Sequence, residues 1–583
     1  EADFTEAIEE IIAAPPTEEE LARALADFEK SAYAALTPPL MRAFALVIGF
    51  AQNDDPAYYK KDFSRYFQVT PLDLQRVAKR YLTPEKVVLW TLPADSEHPK
   101  SPATIAGPNL SAPDRSASPH RLPESGPDWS KMPGPSAALS FKAPRFVRKT
   151  LPNGLEVWVA PWKTLPLVTV RLLMAAGTAD DPDGKSGLAS LTATLLTQGT
   201  KSRTATELAE AFEALGVTLG ARASVDETST GFSTVTRHLD PALKLLGEVL
   251  TSPRFDPVDF ERERSLQIAS LAQGAEDPNW IARRAFPVLL YGEGHPYANP
   301  GDGYDETLKG LRLEDVRAFH SRRLGPKGAI MVVVGDVEPE AAFSKVEDSL
   351  GGWNAQEVAP SPRPEATVKA RPGVVHFVDK PGTVQSVVNV GRRWLDRSDE
   401  SYFATLVGNR ILGGDFLSRL NQNLREKNGF TYGANSAFRF RRTGSVWSVS
   451  TQVRTDATAP ALKEALNELD ALAGGKPFTV EEIETAVGAE VKSFPEGFDS
   501  PGSIAGILEE MARFKLPLDH LDTYLARLQA TTPVSIGQAM ARVIQPEERV
   551  VLIVGDRASV EPKLRTLGYD RIESIDYNGR PVR

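Results

Sequence analysis

The sequence predicts an α+β fold built from tandem copies of one domain, and three observations carry that expectation. A capped helix, a proline and a strongly apolar strand recur in that order in "VTPLDLQRVAKRYLTPEKVVLWTLPAD" (69–95), "GLRLEDVRAFHSRRLGPKGAIMVVVGD" (310–336) and "ATTPVSIGQAMARVIQPEERVVLIVGD" (530–556). Their prolines, Pro84, Pro326 and Pro546, stand 242 and 220 residues apart. That is the spacing of whole domains, not of solenoid repeats. Apolar runs such as "AIMVVVG" (329–335) are far shorter than the ~20 residues of a membrane helix and fit buried strands, so no transmembrane segment is expected.

Composition narrows the partners. A chain of 583 residues with 41% apolar and 25% charged residues is an ordinary globular sequence of several domains. The net charge of −10 is spread along the length with no Lys/Arg cluster, which argues against nucleic acid. With no cysteine, there is no disulfide framework, thiolate metal site or cysteine nucleophile. Glu1-Ala2-Asp3 leads straight into an acidic amphipathic helix without a secretory-signal pattern; a processed chain would look the same.

In chain order, residues 1–95 read as the C-terminal part of an incomplete domain: mostly helical, with an ending but no beginning. Its front strands are expected on a segment outside this chain, either a separate polypeptide or a removed N-terminal part. A naturally small helical domain is the plainer alternative. Residues 96–144, rich in Pro, Ser and Ala, form a tether without a core of its own. The second copy, 145–360, opens with "RFVRKTLPNGLEVWVAP", a hairpin signal with Asn153-Gly154 at its turn. "SPRPEAT" (361–367) is a shorter linker, and the third copy occupies 371–583, opening with "GVVHFVDKPGTVQSVVNVG".

Within the second copy, "GLASLTATLLTQGT" (187–200) predicts a short amphipathic helix. Leu188, Leu191, Leu195 and Leu196 form its apolar stripe. The opposite side carries Ser190, Ala193, Thr194 and Thr197, all small and none ionisable. In the third copy, "SRLNQNLREKNG" reads as a helix stopped by Gly429. A strand from Phe430 to Phe440 follows, turning at "RRTG". "LGGDF" (412–416) is either a weak anion or peptide contact or a helix-packing turn. The seven histidines (98, 120, 238, 295, 320, 376 and 520) show no ligand spacing, and His295 in "YGEGHPYANP" reads as a loop histidine bonded to backbone. Ser190 has no Gly-x-Ser-x-Gly context and is rejected as a nucleophile.

The order "LPNGLEVWV", "LVTVRLLMAAGTADDP", "GLASLTATLLTQGTKSRTATEL", "FERERSLQIASLAQGAEDP", "GHPYANPGDG" and the helix-to-strand ending resembles the pitrilysin/insulinase family of zinc metallopeptidases. "LGGDFLSRLNQNLREKNGFTYGA" (412–434) looks like that family's C-terminal half-unit. The resemblance spans 1–95 and about 145–583. It implies tandem pitrilysin-like domains, each a mostly antiparallel sheet covered by helices, forming a bowl that faces an equivalent bowl.

In active members the matched helix carries His-x-x-Glu-His, two zinc ligands on one helix face with the water-activating Glu beside them; a later helix gives a third ligand, Glu. Laid on this sequence, the two His positions are Ser190 and Thr194, the base position is Ala193 and the third ligand position is Ser270. None can do the family's chemistry, so no metal and no catalytic residue are expected in this chain. The resemblance instead gives a substrate-binding role to Arg425 and Tyr432, seven residues apart. The Tyr would polarise the scissile carbonyl and the Arg would hold the peptide backbone.

Together these imply the non-catalytic half of a zinc metalloendopeptidase, inactive alone. It would enclose peptide or unfolded polypeptide substrates for a zinc-bearing half supplied by the missing segment or a partner. The alternative is a proteolytically inactive peptide-binding or scaffold protein of the same fold. The Pro/Ser-tethered tandem architecture suggests a periplasmic or otherwise exported bacterial setting.

Overall fold

The computed structural model describes residues 2–83, 141–354, 363–366, 368–394, 396–473 and 477–582. The expected first-copy strand after Pro84, the tether through residue 140 and the start of the 361–367 linker lie outside the described residues. The chain divides into two compact units, Glu1–Glu18 with Val69–Ser140, and Glu19–Gln68 with Phe141–Arg583.

In the first unit, α1 (Ala2–Ala13) packs on α5 (Pro71–Tyr81). Gln75 Nε2 donates to the Ile12 and Ala13 carbonyls, both at 3.1 Å, and so ties off the open end of α1. Thr70 and Asp73 form a capping box, and Pro71 takes the first helical position, where its missing N–H costs nothing. The second unit begins with α2 (Glu18–Ala35), α3 (Pro39–Asn53) and α4 (Tyr58–Tyr66). Glu29 of α2 is buried in a two-pronged ion pair with Arg237.

The rest of that unit carries two six-stranded sheets that share the order of five strands and differ in the sixth, outer one. The first comprises β1 (Val147–Thr150), β2 (Glu156–Pro161), β3 (Leu167–Met174), β4 (Gly220–Ala223), β5 (Thr228–Val235) and β6 (Ile330–Gly335), ordered β1-β2-β6-β3-β5-β4. The second comprises β7 (Val374–Asp379), β8 (Gln385–Arg393), β9 (Thr431–Arg439), β10 (Val446–Arg454), β11 (Val550–Gly555) and β12 (Arg571–Ser574), ordered β12-β7-β11-β8-β10-β9. β2 runs parallel to β6 as β7 does to β11, and the three pairings that follow in each sheet are antiparallel. Each is thus a mostly antiparallel sheet covered by helices. The Asn153-Gly154 turn closes the β1–β2 hairpin, with Gly154 at φ +92° and the Asn153 amide holding the Leu350 carbonyl at 2.8 Å.

Why the strand after each helix–proline ending is apolar on both sides is visible in the packing. In β6, Met331 and Val333 enter the core of their own copy, while Val332 and Val334 pack with Ile504, Ala505, Leu508 and Met511 of the helix Pro501–Arg513, which belongs to the third copy. In β11, Val551 and Ile553 face their own core. Val550, Leu552 and Val554 pack with Ala282, Ala285, Phe286 and Val288 of the helix Pro278–Tyr291, which belongs to the second copy. The two copies therefore exchange one helix each across their sheets. A strand covered on both faces has no polar side to alternate with.

Candidate functional site

The helix Leu188–Leu196 forms as expected, with all four stripe leucines buried. Gly187 starts it in the left-handed region at φ +97°, and a Cβ there would stand 2.8 Å from Leu308 Cδ2 and 3.0 Å from the Gly303 Cα. The Asp181 carboxyl caps the helix by accepting the Gly187 and Ala189 N–H groups, both at 2.8 Å. Burial pushes this carboxyl up to about 8, while the N–H donors pull the other way.

The silent side of that helix is not a solvent face. Ala193 is fully buried, and Ser190 and Thr194 are half-buried under the loop that follows Tyr291. Every hydroxyl is turned back to a carbonyl: Ser190 Oγ donates to Gly301 O at 2.6 Å, Thr194 Oγ1 to Ser190 O at 3.2 Å and Thr197 Oγ1 to Thr194 O at 3.0 Å. The helix Pro257–Gly274, which carries Ser270, packs against this one. Ser270 itself is exposed and donates to Leu266 O at 2.9 Å. Structure thus brings the two helices together but gives them nothing to share. Among the described residues, no group of three or more His, Asp or Glu is placed to hold a metal ion. The residues present do not fit zinc: neutral hydroxyls already bonded to backbone offer it no charge and no free geometry.

Arg425 and Tyr432 sit at the opposite end of the second sheet's order, on and beside its edge strand β9. Arg425 lies in a π-helical stretch, Gln422–Lys427, that packs against β9. Gly429 ends it as expected, at φ +61°, with its N–H donating to Arg425 O and the Phe430 N–H to Leu424 O, both at 2.9 Å. The Arg425 guanidinium lies 4.1 Å over the Phe416 ring, which fixes its plane. Its Nη1 is buried 3.1 Å from Glu426 Oε1, yet is not aligned for a hydrogen bond to any described group. Tyr432 is 91% exposed near the start of β9, whose hairpin with β10 turns through Arg441–Gly444. At this edge Tyr432 is open to solvent, while Arg425 is half-buried against Phe416 and Glu426.

The remaining sequence candidates resolve simply. His295 Nδ1 accepts the Tyr297 N–H at 3.0 Å and Nε2 meets Pro364 O at 2.9 Å, the backbone-bonded loop histidine expected; burial lowers its pKa. In "LGGDF", a Cβ on Gly413 would stand 2.7 Å from the Ser436 backbone N, so this glycine serves close packing. Sequence reasoning missed a buried ion cluster in which Arg363, from the short linker, reaches Asp180 at 2.9 Å and Asp226 at 3.4 Å, and Tyr297 donates to Asp226 at 2.8 Å. "SPRPEAT" is therefore pinned at Arg363. Nothing local marked it, because its partners lie 137 and 183 residues away.

A repeated, mostly antiparallel sheet covered by helices is the architecture of a clamshell metallopeptidase half. The family model described as Insulinase (Peptidase family M16) matches residues 160–284, and that described as Peptidase M16 inactive domain matches residues 310–489. Between them they span more than half of the chain, which belongs to the insulinase (M16) family. The chain is 27% identical over 342 residues to an uncharacterized zinc protease of Mycobacterium leprae, covering 59% of this chain and 76% of that one. It is 26% identical over 415 residues to an uncharacterized zinc protease of Streptomyces coelicolor, covering 70% and 89%. The solved structure of a peptidase M16 inactive domain from Pseudomonas fluorescens matches with a TM-score of 0.66 and 25% identity, covering 70% of this chain and 98% of that one.

Proposed function

We propose that this chain is the non-catalytic half of a zinc-dependent metalloendopeptidase, enclosing peptides and positioning them for cleavage by a zinc-bearing half. The single observation that carries the reading is the contrast between its two helix sites. Positions 190, 193, 194 and 270 are chemically closed, while Tyr432 stands open at an edge strand with the half-buried Arg425 on the helical segment packed against that strand. A peptide lying along this edge would present carbonyls to the Arg425 fork and to the Tyr432 O–H. A guanidinium held over an aromatic ring needs little reordering to bind, and a phenol can donate to an oxyanion as charge develops on it. Bond cleavage itself is assigned to the partner half.

The test is turnover of a quenched peptide by the chain assembled with its zinc-bearing half. Arg425→Ala and Tyr432→Phe are expected to lower kcat/KM by about 100-fold or more, the size of losing one transition-state donor. Zinc content of the complex should not change. Full activity in both variants would overturn the role. The loss of all four metal-site positions also favours a second reading, a peptide-binding scaffold without proteolysis. A native mass spectrum of the protein from its own source separates the two, since a bound zinc-bearing polypeptide supports the first and a zinc-free species the second.

A further inference from the structure

Three helices of this chain open on a proline in their first turn and hold the same place within their copies: α3 at Pro39, the helix at Pro278 and the helix at Pro501. Each follows a longer helix, respectively α2, Pro257–Gly274 and Val480–Ser493. The second and third are the two exchanged helices, and they show what such a helix covers: the outward apolar face of another copy's sheet.

α3 carries apolar residues at four of the positions by which the sister helices make contact, although Ile281 and Ile504, buried three residues after their prolines, are matched by Arg42. Four residues after the proline stands an alanine in all three, Ala282, Ala505 and Ala43, small enough to let a helix lie close on a sheet. Seven and eight residues after it stand Ala285 and Phe286, Leu508 and Glu509, and in α3 Leu46 and Val47. In the exchanged helices all of these are buried. In α3, Ala43 is exposed, Leu46 is 45% exposed and Val47 is 62% exposed, and Phe50 is 59% exposed where Ala512 is buried. The helix is nonetheless held in place. Gly49 packs against the Asp55 backbone, where a Cβ would stand 2.7 Å from Asp55 O, and the preceding α2 is fastened by Glu29 to Arg237.

Two other occupants fit less well. Among the described residues no single helix is long and apolar enough to cross a membrane, and the bent pair α2–α3 that passes by composition has α2 committed to the protein through its buried Glu29. A second copy of this chain offers α3 no bare strand at β6 or β11, whose outward faces are already covered by the exchanged helices.

We propose that the Ala43–Leu46–Val47–Phe50 face of α3 docks on the outward sheet face of a further insulinase-type domain, the zinc-bearing one. This rests on the peptidase-half reading and names the surface by which the two halves join.

The test places the photocrosslinker benzoylphenylalanine at Val47 of the full chain in cells of its own source, with the same probe at exposed Lys60 as control. Crosslinked peptides are then sequenced. The expected result is crosslinking from position 47, and not from 60, to β-strand residues of an insulinase-type domain carrying His-x-x-Glu-His. Crosslinks to lipid, to a second copy of this chain or to nothing would overturn the docking surface. Strands of an insulinase-type domain without His-x-x-Glu-His would keep the surface and overturn the peptidase-half reading instead. In parallel, Leu46→Asp/Val47→Asp should reduce recovered partner at least 10-fold while leaving the Tm of the isolated chain unchanged. A lowered Tm would show that the face serves the chain's own core, and retained partner would show that the face is idle; either defeats the proposal.

Discussion

The second and third copies share the order of five strands and exchange a helix, yet the helix Leu188–Leu196 and the surroundings of β9 treat their polar atoms in opposite ways. At the helix Leu188–Leu196 each hydroxyl is turned inward to a neighbouring carbonyl, and the caps and loops close over it. Around β9, a phenol stands in water and a buried guanidinium nitrogen lacks an aligned partner. The difference teaches that one scaffold can close one helix site with hydrogen bonds to backbone and leave polar groups open at another.

The comparison breaks most sharply in activity. With the assembled enzyme, Tyr432→Phe or Arg425→Ala should cost about 100-fold or more in kcat/KM, whereas Ser190→Ala should leave kcat/KM within about twofold, since that hydroxyl touches only Gly301 O. Equal losses in a peptide-turnover assay would erase the distinction between the two sites.

Next in size is stability at the closed site. Ala193→Glu, which restores the acid of the family motif, places an unpaired carboxylate where Ala193 is fully buried. We expect a loss on the order of 3 kcal/mol or more in urea denaturation. A neutral effect would mean that the closed face opens readily. Arg363→Met tests the linker in the same assay. It strips the cation from buried Asp180 and Asp226 and should cost about 3 kcal/mol.

A smaller effect is set by pH. Burial, with the Arg371 charge beside it, holds His376 down at about 4, and burial with Arg397 does the same for His520. Both rings stay neutral in the fold but ionise near 6.5 when unfolded. Their contribution is therefore present above about pH 6.5 and lost as pH falls toward 4, by roughly 2 kcal/mol each or less. Unfolding free energy measured from pH 7 to pH 4.5 should fall, and His520→Phe should flatten that slope. At the small end, Ser190→Ala should change stability by no more than about 1 kcal/mol, one hydroxyl hydrogen bond.

Much of this was legible in the sequence because it is local. The Asn153-Gly154 hairpin, the Gly429 stop, the leucine stripe and the two helix–proline–strand endings among the described residues are each written within about two dozen residues. The assignment of Ser190, Ala193, Thr194 and Ser270 to the family's metal positions rests on the matched motif, and the structure adds only that the hydroxyls among them are bonded to backbone carbonyls. The exchanged helices were not legible, because an all-apolar run in β6 or β11 announces two covered faces without saying what covers the second. Nor was the covering of the Ser190 side by the loop at Gly301, whose contact spans 111 residues.

The exchange of helices fixes where this polypeptide does not tolerate a break. Cutting between β6 and β7 would strip Val332 and Val334 of one helix and Val550, Leu552 and Val554 of the other, leaving two greasy plates in water. The second and third copies must then mature together, neither being an independent folding unit.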